Sequence, residues 1–353
     1  MTTTDPIASA KAVGLQYVTD ESVGIQRVRK RSKFHYIDVD GKPIQDAEEI
    51  KRINALRIPP AWEDVWICPS TNGHLQATGR DAKGRKQYRY HADWRRIRDQ
   101  TKFARLIAFS EALPKIRERI EHDLSLPGLP RNKVLATVIR LMELTRIRVG
   151  NEEYAKTNKS FGLTTLRDRH VDISGVSIRF KFRGKSGVAH DIKISDRRLA
   201  KIVKRCQDIP GQELFQYLDE DGQRQSISSN DVNDYLREIC EQDFTAKDFR
   251  TWAGTVLAAR ELCQMTDCES KTAIKKAIVQ AIKSVAEHLG NRPATCRKYY
   301  VHPAILAAYE NQILSSVMAE HLEQEEIDNL GSLSNEEKAV VALLEHELLP
   351  LQK

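Results

Sequence analysis

The feature that most constrains the fold is a change of residue pattern near Ala92. Before it, short apolar runs alternate with turn-forming pairs such as Pro59-Pro60 and Asn72-Gly73. After it, apolar residues recur at helical spacing, as in Leu135, Val138, Ile139 and Met142. The sequence therefore predicts an α+β chain, with a small strand-rich N-terminal domain over 1–91, a larger mainly helical domain over 92–318 and an acidic C-terminal tail over 319–353.

One alternating stretch interrupts the helical domain. Apolar and polar residues alternate from 176 to 182 and again from 188 to 194, and Gly184-Lys185-Ser186-Gly187 lies between the two runs. Because alternate strand residues share a face, this pattern predicts a β-hairpin with Lys185 at its tip.

Capping residues mark the later helices. Thr245 and Ser270 precede helical patterns over 246–264 and 271–289, Gly290 fits a C-terminal cap, and Pro303 fits a first helical position. The segment from 320 onward mixes acidic clusters with apolar residues, so it is compatible with a short terminal helix or with a mobile tail.

Composition narrows the class of protein. A chain of 353 residues can hold two domains and a core without disulfides. The first 14 residues contain no apolar run typical of a signal peptide, and no stretch approaches about 18 apolar residues, so we expect a cytoplasmic protein. The six cysteines lack Cys-x-x-Cys spacing, which favours buried thiols over a zinc site or disulfides.

The charge is unevenly distributed. The formal net charge is +7, but residues 319–353 hold nine acidic residues against two lysines, and the rest of the chain has 54 basic and 40 acidic residues, or +14. A body this basic favours a polyanionic partner. Composition alone, however, does not decide whether the chain binds nucleic acid or no anion at all.

A basic stretch with interleaved aromatic residues runs from 80 to 96. Cations can position phosphates, whereas glutamine and tyrosine can reach base edges or stack on bases. The alternative is a solvated loop between domains. The mixture favours DNA contact by Arg80, Lys83, Arg85, Gln87, Tyr88 and Tyr90.

Metal-independent phosphodiester chemistry requires cations around the phosphate, a nucleophile and an acid for the departing oxygen. Arg148 follows a helical segment, Lys185 lies at a glycine-flanked tip and Arg250 lies one turn into a predicted helix. Each of the three, taken alone, is compatible with an ordinary structural or solvated role.

Their order and surroundings resemble the type IB DNA topoisomerases, especially the compact bacterial and poxvirus-like branch. The resemblance extends from the basic stretch near 80–90 to about residue 315. Besides that stretch, the matching segments are Arg148-Val149-Gly150-Asn151-Glu152, Phe182-Arg183-Gly184-Lys185, Ala246-Lys247-Asp248-Phe249-Arg250-Thr251-Trp252, and Gly290-Asn291-Arg292-Pro293 followed by Cys296-Arg297-Lys298-Tyr299-Tyr300-Val301-His302-Pro303.

The resemblance implies a role for each matched residue. Tyr300 would be the nucleophile, Lys185 the general acid, and Arg148 and Arg250 the phosphate clamps. Tyr299 is the competing nucleophile, but Tyr300 lies nine residues after Asn291, which is the family's spacing. The resemblance also implies the family's catalytic fold, shared with tyrosine recombinases, and places Lys247 among the DNA-binding residues.

Asn291 departs from the histidine found in many relatives. An amide can donate a hydrogen bond to a nonbridging oxygen but cannot supply a proton, so an acid role at this position is in doubt. His288 is nearby, and the pattern favours an ordinary helix-end histidine there.

The implied function is that of a type IB topoisomerase, an isomerase. It would nick one strand of duplex DNA through a covalent 3′-phosphotyrosyl intermediate, allow strand rotation and religate, without ATP, metal or another cofactor. The resemblance further implies a nucleoid-associated monomer that closes around duplex DNA and has no membrane partner.

Three other functions would use part of this residue set. A tyrosine recombinase uses a similar residue set, but usually has histidine where this chain has Lys247. An architectural DNA-binding protein would need neither Lys185 at a hairpin tip nor the later tyrosine pair. A metal-dependent nuclease would need a compact carboxylate cluster, which the sequence does not offer.

Overall fold

The structure is a computed structural model that describes residues 6–30, 33–82, 86–265, 270–323 and 331–348. The chain divides into two compact units, Met1–Phe103 and Ala104–Lys353. Lys83, Arg85 and Cys268, all singled out in the sequence, lie outside the described residues.

The first unit contains one antiparallel sheet. Its strands follow the spatial order β2-β1-β3-β4-β5. The elements are α1 (Pro6–Lys11), β1 (Ile25–Lys30), β2 (Lys33–Ile37), α2 (Ala47–Ala55), β3 (Glu63–Ile67), β4 (Leu75–Arg80), β5 (Lys86–Tyr90) and the start of α3 (Ala92–Ser125), which continues into the second unit. The predicted small, strand-rich N-terminal region is therefore confirmed.

A compact apolar cluster joins helix α2 to this sheet. Ile53 of α2 packs against residues of three strands, Ile25, Val65, Ile67 and Ala77. Helix α2 begins after Asp46, whose carboxylate accepts a hydrogen bond from the Glu48 amide at 3.1 Å. Burial of these side chains is the main source of stability in so small a sheet.

The second unit is mainly helical, as predicted. Besides the rest of α3, it contains α4 (Arg131–Thr145), α5 (Glu152–Asn158), β6 (Val171–Ser174), β7 (Ser177–Arg183), β8 (Ala189–Ser195), α6 (Arg197–Gln207), β9 (Gln216–Leu218), β10 (Arg224–Ser226), α7 (Ser229–Cys240), α8 (Ala246–Cys263), α9 (Lys271–His288), α10 (Pro293–Tyr299), α11 (Pro303–Glu310), α12 (Leu314–Leu322) and α13 (Asn335–Leu348). Helix α4 is almost wholly buried and forms the centre of this unit.

The predicted hairpin is present as β7 and β8. Ile178, Phe180 and Phe182 of β7 are buried, and the residues between them are exposed, which is the alternation that the sequence shows. Strand β6 adds a third antiparallel strand beside β7. Its four residues are too few to give a recognisable alternating pattern, so the sequence did not predict it.

Three predicted helix starts are also confirmed. Helix α8 begins after Thr245, whose amide donates to the Asp248 carboxylate at 2.8 Å. Ser270 caps α9 by accepting from the Ala273 amide, and Pro303 is the first residue of α11. These local hydrogen bonds satisfy amides that a helix start leaves without partners.

The described C-terminal residues form a packed helix rather than a mobile segment. In α13, Val340, Leu343 and Leu344 are buried. The helix contacts α8, α11 and α12 of the second unit. The apolar residues that alternate with the acidic clusters therefore form the core-facing side of a helix.

The sequence predicts buried thiols, and this holds for most of the cysteines that the structure describes. Four of these are buried, and Cys263 is partly buried. Across the described ranges, no helix combines the length and apolar character required to cross a membrane.

Candidate active site

Arg148 lies on an extended segment just after helix α4. The segment is fixed by backbone hydrogen bonds, since the Leu163 amide donates to the Arg148 carbonyl at 2.8 Å and the Thr164 amide donates to the Val149 carbonyl at 2.7 Å. Gly162 permits this approach, because a β-carbon there would lie 2.5 Å from the Arg148 carbonyl oxygen. The backbone that carries the arginine is thus held in one place.

The Arg148 guanidinium contacts the loop after helix α9. It donates to the Gly290 carbonyl at 3.1 Å and to Oδ1 of Asn291. Because arginine has no acceptor atom, the amide atom facing it must be oxygen. The Nδ2 group of Asn291 is then a buried donor, with no acceptor among the described residues.

Arg250 is buried, with 5% of its surface exposed. It donates to the Leu289 carbonyl at 2.6 Å and to the Arg146 carbonyl. Burial, together with the nearby charge of Arg148, lowers the pKa of Arg250 to about 10, and Tyr300 partly offsets that change. Its Nε is a second buried donor that lacks an acceptor within the described chain.

Tyr300 follows the last residue of α10 and lies beside Arg250. The distance from the guanidinium carbon to the centroid of the Tyr300 ring is 5.4 Å. The competing Tyr299 is more exposed, and the Lys298 ammonium lies 5.2 Å from its ring centroid. Tyr300 is therefore the tyrosine that shares a site with both arginines.

Two residues of helix α8 hold the Tyr300 backbone, and sequence reasoning missed both. Thr255 accepts from the His302 amide at 3.2 Å, and its hydroxyl lies 3.5 Å from the Tyr300 carbonyl. A β-carbon at Gly254 would lie 2.4 Å from that carbonyl oxygen. A glycine and a threonine within a helix are too common to have signalled this role.

His190 of strand β8 connects the hairpin to the loop that carries Asn291. Its ring stacks on Phe182 with centroids 4.8 Å apart. β-Carbons at Gly184 and Gly290 would each lie 2.6 Å from the ring, so the imidazole fills the space between these two glycines. Burial and then the charges of Arg148 and Arg250 lower its pKa, which favours the neutral form. The sequence did not predict this role, because His190 reads there as an ordinary member of an alternating strand.

Lys185 lies in the hairpin turn and is exposed. Within the described part of the chain its ammonium makes no hydrogen bond or ion pair. The structure thus brings Arg148, Arg250, Asn291 and Tyr300 together, and places Lys185 at the tip of the hairpin that His190 anchors beside Gly290.

Four of the predicted DNA-binding residues of the first unit are described: Gln87, Tyr88 and Tyr90 lie on the edge strand β5, and Arg80 lies on the neighbouring β4. The rings of Tyr88 and Tyr90 stack with centroids 5.9 Å apart and 8° between planes. Gln87 directly precedes Tyr88 and so lies on the opposite face of β5, where it donates to Asp81 at 3.0 Å. Arg80 is the last residue of β4, and its Nε lies 3.8 Å from the Asp64 carboxylate.

Lys247 is exposed in the first turn of helix α8. It lies three residues before Arg250, so it extends the positive charge of the arginine pair to the surface of the second unit. Buried cations and unsatisfied N–H donors beside a phenol form a site for an anion, because each donor costs free energy until an acceptor binds.

Two family models match this chain. The model described as eukaryotic DNA topoisomerase I, catalytic core, matches residues 91–327, and the model described as bacterial DNA topoisomerase IB, N-terminal domain, matches residues 33–81. Together they cover most of both units. The first model alone spans more than half of the chain.

Similar proteins occur in large DNA viruses. The DNA topoisomerase 1B of Acanthamoeba polyphaga mimivirus is 35% identical over 314 residues, which are 87% of this chain and 93% of the viral protein. The DNA topoisomerase 1B of Vaccinia virus (strain Copenhagen) is 26% identical over 275 residues, covering 75% of this chain and 83% of that protein. From the family match and the mimivirus identity, the chain belongs to the type IB DNA topoisomerase family.

Proposed function

We propose that this chain relaxes supercoiled duplex DNA by cleaving and resealing one strand, with Tyr300 as the nucleophile. The observation that carries the proposal is the pair of buried donors beside that tyrosine, Nε of Arg250 and Nδ2 of Asn291. A phosphodiester placed there would supply the acceptors that both donors lack.

Cleavage begins with in-line attack of the Tyr300 oxygen on phosphorus, and the phenol proton passes to solvent. A new phosphorus–oxygen bond forms to the tyrosine while the bond to the 5′ oxygen breaks. Negative charge on the nonbridging oxygens is stabilised by Arg148, Arg250 and Asn291. Each preorganised donor of this kind typically lowers a barrier by about 3–4 kcal/mol.

Lys185 protonates the departing 5′ oxygen, which leaves as a hydroxyl. Support for this role is its position on the hairpin that His190 joins to Gly290. The 3′-phosphotyrosyl bond retains the energy of the broken linkage, so the reverse reaction reseals the strand without ATP. Rotation of the free end before resealing removes supercoils.

The proposal extends to the partner and the setting. A monomer clamps duplex DNA through the stacked Tyr88 and Tyr90, with Arg80, Lys83, Arg85, Gln87 and Lys247 as further contacts. The match to a bacterial N-terminal domain supports a bacterial enzyme. A bacterial enzyme that acts on duplex DNA would be cytoplasmic and nucleoid-associated. The basic body of the chain supports duplex DNA as the substrate.

The test is relaxation of a supercoiled plasmid in EDTA without ATP, comparing wild type with Tyr300→Phe and Tyr299→Phe. Wild type and Tyr299→Phe should relax the plasmid, whereas Tyr300→Phe should lose activity because it lacks the attacking oxygen. Duplex binding by Tyr300→Phe, measured by fluorescence anisotropy, should stay within about twofold of wild type, since the ring is retained.

Full relaxation by Tyr300→Phe would refute the assignment and favour Tyr299. Trapping with denaturant gives an independent result, because only a covalent mechanism leaves protein attached to the 3′ end of the nicked strand. An architectural DNA-binding protein would leave no adduct. A recombinase would exchange strands only between paired sites.

A further inference from the structure

The second unit contains a cavity of about 370 Å³, and Arg250 is the one proposed catalytic residue among the described residues that line it. It lies between helices α4 and α8 and the segment 332–338 that leads into α13. Its walls carry four arginines, Arg117, Arg146, Arg250 and Arg260, together with Lys338 and three glutamates, Glu143, Glu336 and Glu337.

Two of these arginines are neutralised by the glutamates. Arg117 donates to Glu143 at 2.7 Å and to Glu337 at 2.8 Å, and both partners are largely buried. Arg260 forms a two-point ion pair with Glu336, through Nε at 2.7 Å and Nη2. All three carboxylates are therefore engaged.

Arg146 has no such partner. Its Nε is buried and has no acceptor among the described residues. Burial, with a further contribution from the charge of Arg260, lowers its pKa, and no carboxylate of the described residues acts in the opposite direction. A partly buried guanidinium without a counter-charge destabilises a fold unless an anion approaches it.

We propose that this cavity is a binding site for a small phosphate-bearing anion, with Arg146 as its principal ligand. The planar guanidinium suits two oxygens of a tetrahedral phosphate. The volume exceeds what one phosphate needs, so a short polyphosphate also fits.

The cavity adjoins the proposed catalytic residues in two ways, because Arg250 lines it and also bonds to the backbone of Arg146. The Arg146 carbonyl accepts a hydrogen bond from Arg250, while the Arg146 side chain lines the cavity. An occupant that shifts Arg146 would therefore move an acceptor of a proposed phosphate clamp. The inference itself concerns binding and does not depend on the proposed reaction.

The test compares thermal unfolding of wild type, Arg146→Leu and Arg148→Ala in sodium phosphate and in sodium chloride of equal ionic strength. Phosphate should raise the Tm of wild type and Arg148→Ala by more than that of Arg146→Leu, which keeps only the anion site at the catalytic arginines. Without phosphate, Arg146→Leu should unfold at a higher temperature than wild type, because an uncompensated charge is removed. Leucine adopts the left-handed backbone at this position, φ +58°, with no more strain than arginine.

Calorimetric titration with inorganic tripolyphosphate measures the same site directly. Arg146→Gln, which keeps a polar side chain if leucine prevents folding, should weaken binding by about tenfold or more. Unchanged affinity, or loss of the phosphate effect in Arg148→Ala alone, would place the anion at the catalytic arginines and overturn the proposal.

Two further outcomes are decisive. In crystals grown with selenate, an anomalous peak beside Arg146 supports the site, and peaks confined to Arg148 and Arg250 refute it. If Arg146→Leu lowers the salt dependence of DNA binding by about one counterion, the guanidinium contacts a DNA phosphate instead, and the small-anion site is wrong.

Discussion

At the scale of single residues, the partners of each arginine separate structural from chemical roles. Arg117 and Arg260 are matched by glutamates. Arg148 and Arg250 are instead held by neutral carbonyl and amide oxygens. The second pair keeps its net charge at the cost of desolvation, which is why the pKa of each is lowered. A bound phosphate can then interact with the full positive charge of Arg148 and Arg250.

Gly254→Ala provides a test of how tightly Tyr300 is placed. Alanine normally stabilises a helix by up to about 1 kcal/mol relative to glycine. Here its β-carbon would lie 2.4 Å from the Tyr300 carbonyl oxygen, so that backbone must move. We expect single-turnover cleavage to slow by about 100-fold, because displacements of roughly 1 Å have such effects.

Ala253→Gly is the matched control for this variant. It weakens the same helix without touching Tyr300, so it should lower the Tm while leaving the cleavage rate within about twofold. Normal cleavage by Gly254→Ala would show that the close contact does not fix the tyrosine.

At the scale of elements, one carboxylate joins the C-terminal helix to the rest of the second unit. Glu337 of α13 accepts from Arg117 of α3 at 2.8 Å and from the Trp252 indole of α8 at 2.8 Å. The Ser334 amide donates to its other oxygen. Glu337 is 7% exposed, so these bonds are shielded from water. This polar junction complements the apolar packing of α13.

Glu337→Gln should destabilise the protein by about 3 kcal/mol at pH 7, because it leaves Arg117 with one charged partner instead of two. Burial alone raises the pKa of Glu337, but its hydrogen bonds with Arg117 and Trp252 outweigh that and lower it. The carboxylate therefore stabilises the fold above its unfolded pKa, near 4.5, and this contribution is lost as pH falls through the folded pKa.

Urea unfolding followed by tryptophan fluorescence measures this dependence. The difference between wild type and Glu337→Gln should be largest near neutral pH and shrink below about pH 4. Glu345→Gln, at an exposed position on the same helix, should change the free energy of unfolding by less than about 0.5 kcal/mol. A difference that persists undiminished at low pH would contradict the ion-pair explanation.

At the scale of the whole molecule, the charge is divided between a basic body and an acidic C-terminal segment. Ion pairs with Arg117 and Arg260 take up Glu336 and Glu337 of that segment. The basic body then remains available for DNA phosphates. Because such contacts release counterions, DNA binding should weaken steeply as the salt concentration rises. The slope of log K against log salt falls by about 0.9 for each phosphate contact that is removed.

Lys247→Ala should lower that slope by about one contact and weaken binding equally for all duplex sequences. Lys204→Ala is the control, since Lys204 is exposed on α6 and already paired with Asp208 at 3.3 Å. Equal slopes for wild type and Lys247→Ala, measured by anisotropy over a salt series, would exclude Lys247 as a phosphate contact.

Sequence by itself determined features that depend on neighbours along the chain. The hairpin followed from alternation between 176 and 194, and helices α8, α9 and α11 followed from their caps and first residues. The order of motifs also indicated the family and singled out Tyr300. Local hydrogen bonds and side-chain periodicity act over a few residues, so they are legible in a linear pattern.

Tertiary structure decided the contacts between residues far apart in the chain. Gly254 and Thr255 hold the Tyr300 backbone 45 or more residues away, and His190 fills the space beside Gly290, 100 residues away. Likewise, only the fold shows that, among the described residues, Arg146 lacks a carboxylate partner while Arg117 and Arg260 have theirs. Such roles depend on distance in space and on burial, and no local periodicity encodes either.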